Sequence, residues 1–159
     1  MSTHTLEEIL NPASIAVIGA SAKPGSMGHR FTASLLEYGY QGRIYPVNPK
    51  YSEICGLKAY PRILDIPGPV DYVISSIPAS HVLSLIEDCA QKQVKGIHLF
   101  TARFSETGRR AETELEAKVL EAAKREGIRI IGPNCMGVYV SRNGFPSAMP
   151  CPRSPVLPA

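Results

Sequence analysis

The chain has 159 residues, the length of one ordinary domain, which excludes two catalytic domains with a cleft between them. Apolar residues make up 44% and charged residues 19%, both near the average for globular proteins, so intrinsic disorder and a fibrous class are excluded. The net charge of +3 comes without a dense run of Lys and Arg, which argues against a nucleic-acid partner and leaves anionic small molecules as ligands.

The cysteines and the N-terminus indicate the compartment. Cys55, Cys89, Cys135 and Cys151 lack the Cys-x-x-Cys or Cys/His spacing of a zinc site, so we expect no metal and reduced thiols in a cytoplasmic protein. The first ten residues lack the basic end and apolar run of a signal peptide. No span of 18 apolar residues occurs, so no membrane-crossing helix is predicted.

The first elements form a helix, a strand, a glycine-rich loop and a second helix. Thr5 and Glu8 have the spacing of a capping box, which predicts a short helix ending near residues 11–12. The apolar run Ser14–Ile18 predicts a strand, and residues Met27–Tyr38 have helical periodicity.

The same alternation continues to residue 131. Further strands are predicted at Arg43–Val47, Asp71–Ile77, Lys95–Phe100 and Ile128–Ile131. A helix from Ser80 is predicted to turn one face inward, formed by Val82, Leu85, Ile86 and Cys89. Another over Arg109–Glu126 is predicted to face inward with Ala111, Leu115, Val119 and Ala122. This order predicts a Rossmann-like α/β fold, a doubly wound parallel sheet covered on both faces.

Two segments are less regular. Residues 46–69 are rich in Pro, Gly and Tyr and are predicted to form a loop with a small hairpin or one helical turn. Residues 146–159 contain five prolines, which disfavour both helix and ladder hydrogen bonds. The predicted organisation is an N-terminal helical segment (1–12), a Rossmann-like domain (13–145) and an extended or disordered Pro-rich tail (146–159).

Candidate ligand contacts lie in the loops that follow the strands, because such sheets bind ligands outside the carboxyl ends of their strands. The loop 19–28 leads from a strand into a helix, and its small residues allow backbone N–H groups to approach a phosphate. Ser21 adds a hydroxyl and Lys23 a positive charge. The alternative is that the glycines serve only tight strand-to-helix packing.

The same loops argue against NAD. Ser21 replaces the second glycine of the Gly-x-Gly-x-x-Gly fingerprint, and no acidic residue follows the second strand to bind the ribose. Asn48 and Lys50 stand there instead. Lys50 suits a phosphorylated ribose, as in NADP or coenzyme A, although Asn48-Pro49 could also be a simple turn with Lys50 in solvent.

Three blocks at separate strand ends carry a resemblance. Residues Ile15–Ser21, Ile44–Lys50 and Ile131–Gly137 resemble the CoA-binding domain of NDP-forming acyl-CoA synthetases, relatives of the succinyl-CoA synthetase alpha subunit. The third block, Gly-Pro-Asn-Cys-x-Gly, is the most specific, because packing alone hardly explains it. The resemblance spans about residues 6–139.

The resemblance implies that coenzyme A is the ligand. The residues it implies as contacts are Gly19, Ser21, Lys23, Gly25, Val47, Asn48, Pro49, Lys50, Pro78, Ala79, Thr101, Asn134 and Cys135. Within this set, the loop that follows the first strand is expected to contact the phosphates, and Lys50 to meet the nucleotide's phosphate. Val47 and Pro49 are expected on the adenine side.

The remaining implied contacts concern the arm of the cofactor. Pro78 and Ala79 are expected to border the pantetheine, Thr101 belongs to the turn after the fourth strand, and Asn134 and Cys135 are expected near the thiol. A cofactor-lining role is preferred for Cys135 over a nucleophilic one, since no activating histidine lies near it in the sequence.

The four histidines receive separate predictions. His29 lies in the first turn of a helix at the glycine-rich loop, where it could touch an anion. His4, His81 and His98 are expected to be surface or capping residues.

The resemblance also implies a reaction, in which acyl-CoA, NDP and phosphate are converted reversibly to acid, CoA and NTP. The family passes the phosphoryl group through a histidine on a following α/β domain, so we expect the isolated chain to be inactive and to act with further synthetase domains or subunits. The alternatives are a stand-alone or regulatory CoA-binding module, as a CoA sensor or the front domain of a protein acyltransferase, and an NAD(P)-binding oxidoreductase.

Overall fold

Five parallel strands form the central sheet in the computed structural model, which describes residues 4–140 and 145–146. In chain order the strands of this sheet are β1 (Ser14–Ile18), β2 (Arg43–Val47), β5 (Tyr72–Ser75), β6 (Gly96–Leu99) and β7 (Arg129–Ile131). The spatial order is β2-β1-β5-β6-β7. The chain adds β2 on one side of β1 and β5 on the other, so the order of strand addition reverses between β1 and β5. The predicted fold class is confirmed, and this reversal is where such sheets bind ligands.

Helices cover both faces of the sheet. They are α1 (Leu6–Leu10), α2 (Met27–Glu37), α3 (Val82–Gln91) and α4 (Arg110–Arg125). One core contains side chains of α1 and α2, and the other contains side chains of α3 and α4. All five residues of β1 are buried, with Ile15 and Val17 in the first core and Ala16 and Ile18 in the second. This two-sided burial explains why the strands are continuous apolar runs.

The helix ends follow their capping residues. The predicted capping box is confirmed, because the Thr5 N–H donates to the Glu8 carboxylate at 2.7 Å and the Thr5 hydroxyl accepts from the Glu8 N–H at 3.3 Å. Ser26 caps α2 in the same way, accepting from the His29 N–H at 3.3 Å. Side-chain oxygens thus satisfy N–H groups that have no partner within the helix.

One predicted core position of α4 is wrong. Val119 and Ala122 are buried and Leu115 is half-buried, but Ala111 is exposed. The reason is that α4 begins at Arg110, so Ala111 lies in its first turn, before the part of the helix that packs on the sheet. The predicted inward face of α3 is confirmed, with all four of its residues buried.

The irregular segment 46–69 was predicted to contain a small hairpin or one helical turn, and it contains both. A two-stranded hairpin is formed by β3 (Glu53–Ile54) and β4 (Leu57–Lys58), and a 3₁₀ turn spans Ile63–Asp65. The segment also covers the outer edge of the sheet, since Tyr60 bridges to Val47 at the end of β2.

The described chain ends in a second small hairpin. It pairs β8 (Tyr139–Val140) with β9 (Phe145–Pro146), so Pro146, the first residue of the predicted tail, belongs to a strand. The rest of that tail, residues 147–159, lies outside the described residues, and so does Cys151. None of the helices within residues 4–140 is long and apolar enough to cross a membrane.

Candidate functional site

A cavity of about 400 Å³ opens where the sheet reverses direction, at the carboxyl ends of β1, β2 and β5. It is lined by Ile18, Val47, Pro49, Pro61, Arg62, Ile63, Ile77, Pro78, His81, Ser84, Leu85 and Asp88. The fold therefore brings two predicted contacts at the end of β2, Val47 and Pro49, together with a third, Pro78, that follows β5. Its walls are mainly apolar, which suits a flat organic ring.

The polar rim of this cavity was not predicted from the sequence. The Arg62 guanidinium lies 3.2 Å from the Asp88 carboxylate and forms an ion pair across the mouth. Arg62 belongs to the irregular segment, and Asp88 is a half-buried residue of α3 beside the predicted inward face, so no periodic pattern indicated either residue. The exposed His81 beside them agrees with its predicted surface position.

The loop between β1 and α2 is organised by its own serines. The Ser21 hydroxyl accepts from the Lys23 N–H at 3.0 Å, and the Ser26 hydroxyl donates to the Lys23 carbonyl at 2.8 Å. Lys23 and Gly25 are exposed at the tip of the loop, immediately before the N-terminus of α2. A lysine and a helix N-terminus side by side form an electropositive surface suited to phosphate.

Packing does explain one glycine of this loop. A Cβ atom added at Gly28 would lie 2.0 Å from the Gly19 carbonyl oxygen, so the strand and the helix approach too closely for any side chain there. At Gly25 no atom lies within 4 Å of such a Cβ. The packing alternative therefore holds for Gly28 and does not account for Gly25.

Asn48 joins the loops that follow β1 and β2. Its Nδ2 donates to the Ala20 carbonyl at 2.7 Å, and its Oδ1 accepts from the Lys50 N–H at 2.9 Å. Asn48-Pro49 is thus a turn, as the alternative interpretation had it, and it also sets the position of Lys50 against the first loop. The Lys23 and Lys50 ammonium groups are exposed, and neither forms an ion pair within the described part of the chain.

His29 is oriented toward the backbone of the first loop. Its Nδ1 lies 3.2 Å from the Ser21 carbonyl oxygen, which accepts the hydrogen bond, and 3.7 Å from the Cys55 thiol. The ring nitrogen that faces the loop is therefore occupied by structural contacts. Burial raises the pKa of the Cys55 thiol, with a further contribution from Glu37, so this thiol stays protonated near neutral pH.

Hydrogen bonds through Thr101 connect the loops that follow β5, β6 and β7. Pro78 precedes the 3₁₀ turn Ala79–His81, which leads into α3. The Thr101 hydroxyl donates to the Ile77 carbonyl at 2.8 Å, and the Thr101 carbonyl accepts from the Asn134 N–H at 2.9 Å. Thr101 therefore connects three loops. Its hydroxyl is buried and already forms a hydrogen bond, and its direct contact with a ligand stays a prediction.

The loop 132–137 is held closely against the end of β6. The Cys135 N–H donates to the Leu99 carbonyl at 3.3 Å, and a Cβ atom at Gly132 would lie 2.6 Å from that same oxygen. Asn134 is exposed, with a left-handed φ of 48°. The half-buried Cys135 thiol accepts from the Gly137 N–H at 3.4 Å.

The prediction that His98 is a surface or capping residue is wrong. His98 lies in β6 with 0% of its surface exposed, and its Nε2 is 2.8 Å from the Cys135 carbonyl oxygen. Burial lowers the pKa of its imidazole, and the hydrogen bond to Cys135 opposes that shift. The signal was present in the sequence, since every residue of an inner strand covered on both faces is buried.

Comparisons with known proteins identify the family of this chain. The family model described as "CoA binding domain" matches residues 13–141. The acetate–CoA ligase [ADP-forming] II of Archaeoglobus fulgidus is 46% identical over 140 residues, which are 88% of this chain and 21% of the relative. The alpha subunit of acetate–CoA ligase [ADP-forming] I of Pyrococcus furiosus is 44% identical over 138 residues, 84% of this chain and 30% of the subunit.

A solved structure shows the same fold. The dinucleotide-forming acetyl-coenzyme A synthetase 1 of Ca. Korarchaeum cryptofilum, in complex with phosphate and ADP, superposes with a TM-score of 0.86 at 38% identity. The alignment covers 91% of this chain and 30% of that protein. The matched part of this chain thus spans between 21% and 30% of the length of these relatives. The family match covers most of the sequence, and the chain belongs to the family of CoA-binding domains.

Proposed function

We propose that this chain binds coenzyme A at the carboxyl edge of its sheet, as the CoA-holding part of an ADP-forming acyl-CoA synthetase. The observation that carries the proposal is the combination of an apolar cavity at the sheet reversal with two free lysines, Lys23 and Lys50, on the adjoining loops. A flat base with several phosphates is the ligand that suits such a surface. Family membership supports the same ligand.

The nucleotide half of the ligand is assigned to the first two loops. The base lies in the cavity against Val47 and Pro49, whose apolar surfaces suit a purine ring. The phosphates lie on the loop that contains Ser21, Lys23 and Gly25, before the N-terminus of α2. Lys50 meets the 3′-phosphate, which distinguishes CoA from NAD.

The pantetheine arm is assigned to the path from Pro78 and Ala79 toward Asn134 and Cys135. The Thr101 links described above make this path continuous, because they join the loops after β5, β6 and β7. Along it, the chain's part in the reaction is to hold and orient the thioester. Cys135 lines the path, and His98 contacts its carbonyl oxygen.

The complete reaction is assigned to a larger assembly. The relatives named as ADP-forming acetate–CoA ligases are several times longer than the matched segment. We therefore infer that further synthetase domains or subunits supply the phosphoryl transfer, in a cytoplasmic enzyme that converts acyl-CoA, NDP and phosphate to acid, CoA and NTP. The free thiols of Cys55, Cys89 and Cys135 support that compartment.

Isothermal titration calorimetry with CoA, acetyl-CoA, NAD and NADP tests the proposal. We expect CoA and acetyl-CoA to bind, and NAD to give no measurable heat of binding. NADP separates recognition of the 2′-phosphorylated dinucleotide from that of the thiol cofactor. Tight binding of NAD or NADP without any binding of CoA would favour an oxidoreductase and end the proposal.

A further inference from the structure

We propose that His98 is a positioning residue for the thiol end of the ligand, acting through its hydrogen bond to the Cys135 carbonyl. The inference rests on the proposed function, because it assigns a task to a residue beneath the same site. His98 has 0% of its surface exposed, so it does not contact the ligand itself. Its effect on binding is expected to be indirect, through the conformation of the loop 132–137.

The tautomer of His98 follows from its partner. A backbone carbonyl can only accept, so the proton must be on Nε2, which lies 2.8 Å from the Cys135 oxygen. The other ring nitrogen, Nδ1, is then an acceptor, and it has no hydrogen-bond partner within the described residues. The ring itself is packed edge-on against Phe31, with centroids 5.8 Å apart.

This arrangement is costly for a core residue. Burying a polar nitrogen without a partner is unfavourable, and an aliphatic side chain would fill the same strand position without that cost. The neighbouring β6 residues Ile97 and Leu99 show how the strand is otherwise built. The single bond that His98 does make, to Cys135, is the feature that distinguishes it from an aliphatic residue.

The backbone of the loop 132–137 is held in an uncommon conformation by several hydrogen bonds. Asn134 adopts a left-handed φ of 48°, a conformation that is uncommon outside glycine and that asparagine tolerates better than most other residues. Backbone bonds to Thr101 and Leu99 hold the N–H groups of Asn134 and Cys135. The His98 bond holds the Cys135 carbonyl, which belongs to the next peptide unit, so both peptide units that flank Cys135 are fixed. We infer that this sets the direction in which the Cys135 side chain points.

His98 contacts the nucleotide end of the site only through ring packing on Phe31 of α2, among the contacts described. The loops of that end follow β1 and β2 and are joined to each other by Asn48, and no hydrogen bond in the described structure links His98 to them. Loss of the His98 bond is therefore expected to weaken contacts with the pantetheine arm and to leave contacts with the nucleotide unchanged. A general loss of folding would weaken both.

The experiment compares two ligands and three variants by calorimetry, using the whole chain. The ligands are CoA and adenosine 3′,5′-bisphosphate, which carries the base and the 3′-phosphate without the arm. In His98→Leu the hydrogen bond is removed, in His98→Gln an amide N–H reaches the place of Nε2, and in His98→Asn the amide reaches only the place of Nδ1. Circular dichroism melting curves verify folding.

The expected result is selective. His98→Leu and His98→Asn weaken CoA by about tenfold, the effect of one hydrogen bond, leave adenosine 3′,5′-bisphosphate within about twofold of wild type, and His98→Gln restores most of the CoA affinity. If His98→Leu does not fold, the comparison of His98→Gln with His98→Asn decides the question, since both are polar.

Three results overturn the inference. CoA affinity unchanged in His98→Asn, or equal losses for both ligands, would show that His98 serves only the core. Equal CoA affinities for the Gln and Asn variants would show that the effect on CoA binding does not depend on the hydrogen bond from Nε2. Absence of CoA binding by the wild-type chain is a different result. It would contradict the proposed function itself, on which this inference rests.

Discussion

The Asn48 side chain donates to the Ala20 carbonyl oxygen at 2.7 Å and thereby ties the loop after β2 to the loop after β1. These loops bear Lys50 and Lys23, the two cations assigned to the ligand. The side-chain amide of Asn48 thus helps to hold the two loops that bear the positive charges side by side. A purely acceptor side chain could not make this bond.

The first prediction concerns Asn48. In Asn48→Asp the bond from the Lys50 N–H is retained, but a carboxylate faces the Ala20 carbonyl in place of a donor. We expect the free energy of unfolding to fall by about 1–3 kcal/mol, the cost of an unsatisfied polar group, and CoA binding to weaken. Urea denaturation and calorimetry measure the two effects, and unchanged values for both would show that the loops are held by other contacts.

The second prediction concerns Lys50. Lys50→Ala is expected to weaken CoA by about 1–3 kcal/mol, the range for a hydrogen bond to a charged group, and hardly to affect dephospho-CoA, which lacks the 3′-phosphate. The matched control is Lys118→Ala, which removes an exposed lysine of α4 on the opposite flank of the sheet. Equal losses for CoA and dephospho-CoA would remove Lys50 from the phosphate site.

The third prediction concerns Gly28. Gly28→Ala places a Cβ atom against backbone at Gly19, where no flexible side chain can move aside. We expect destabilisation of about 1–3 kcal/mol or more, as for overpacking, measured by urea denaturation. Gly108→Ala is the control, since its Cβ meets no atom within 4 Å and only its positive φ of 71° is unfavourable. A smaller loss at Gly28 than at Gly108 would contradict the packing argument.

The fourth prediction concerns pH. Burial lowers the pKa of His98 in the folded state below its ordinary value of 6.5, so the unfolded chain binds the proton more readily. Above the pKa of the unfolded chain the imidazole is neutral in both states, and the free energy of unfolding is not reduced. As the pH falls below that pKa, the free energy of unfolding falls by up to about 1.4 kcal/mol per pH unit. Urea denaturation between pH 7.5 and pH 5.5, values chosen to bracket that range, measures the slope for wild type and for His98→Gln.

The glutamine variant provides the comparison, because its amide does not titrate. We expect the difference in unfolding free energy between wild type and His98→Gln to shrink or reverse toward acid pH. Parallel pH profiles for the two proteins would show that His98 does not titrate differently in the folded and unfolded states.

Local sequence determined the elements and the order of the strand-end loops. The runs at Ser14–Ile18 and Arg43–Val47 and the capping residues at Thr5 and Ser26 act over a few neighbours, so their structures can be read from the sequence nearby. The thirteen expected ligand contacts came from loop positions and family resemblance. Their direct contacts with CoA remain predictions.

Tertiary structure decided what the loops do to one another. Arg62 and Asp88 meet at the cavity, and His98 reaches the Cys135 carbonyl, because the strand order places distant segments side by side. No periodic pattern of nearby residues indicates these contacts, since they depend on the order of the strands in the sheet and on how closely the helices pack. The physical reason is that hydrogen bonding and burial act between neighbours in space, and only the folded sheet defines who those neighbours are.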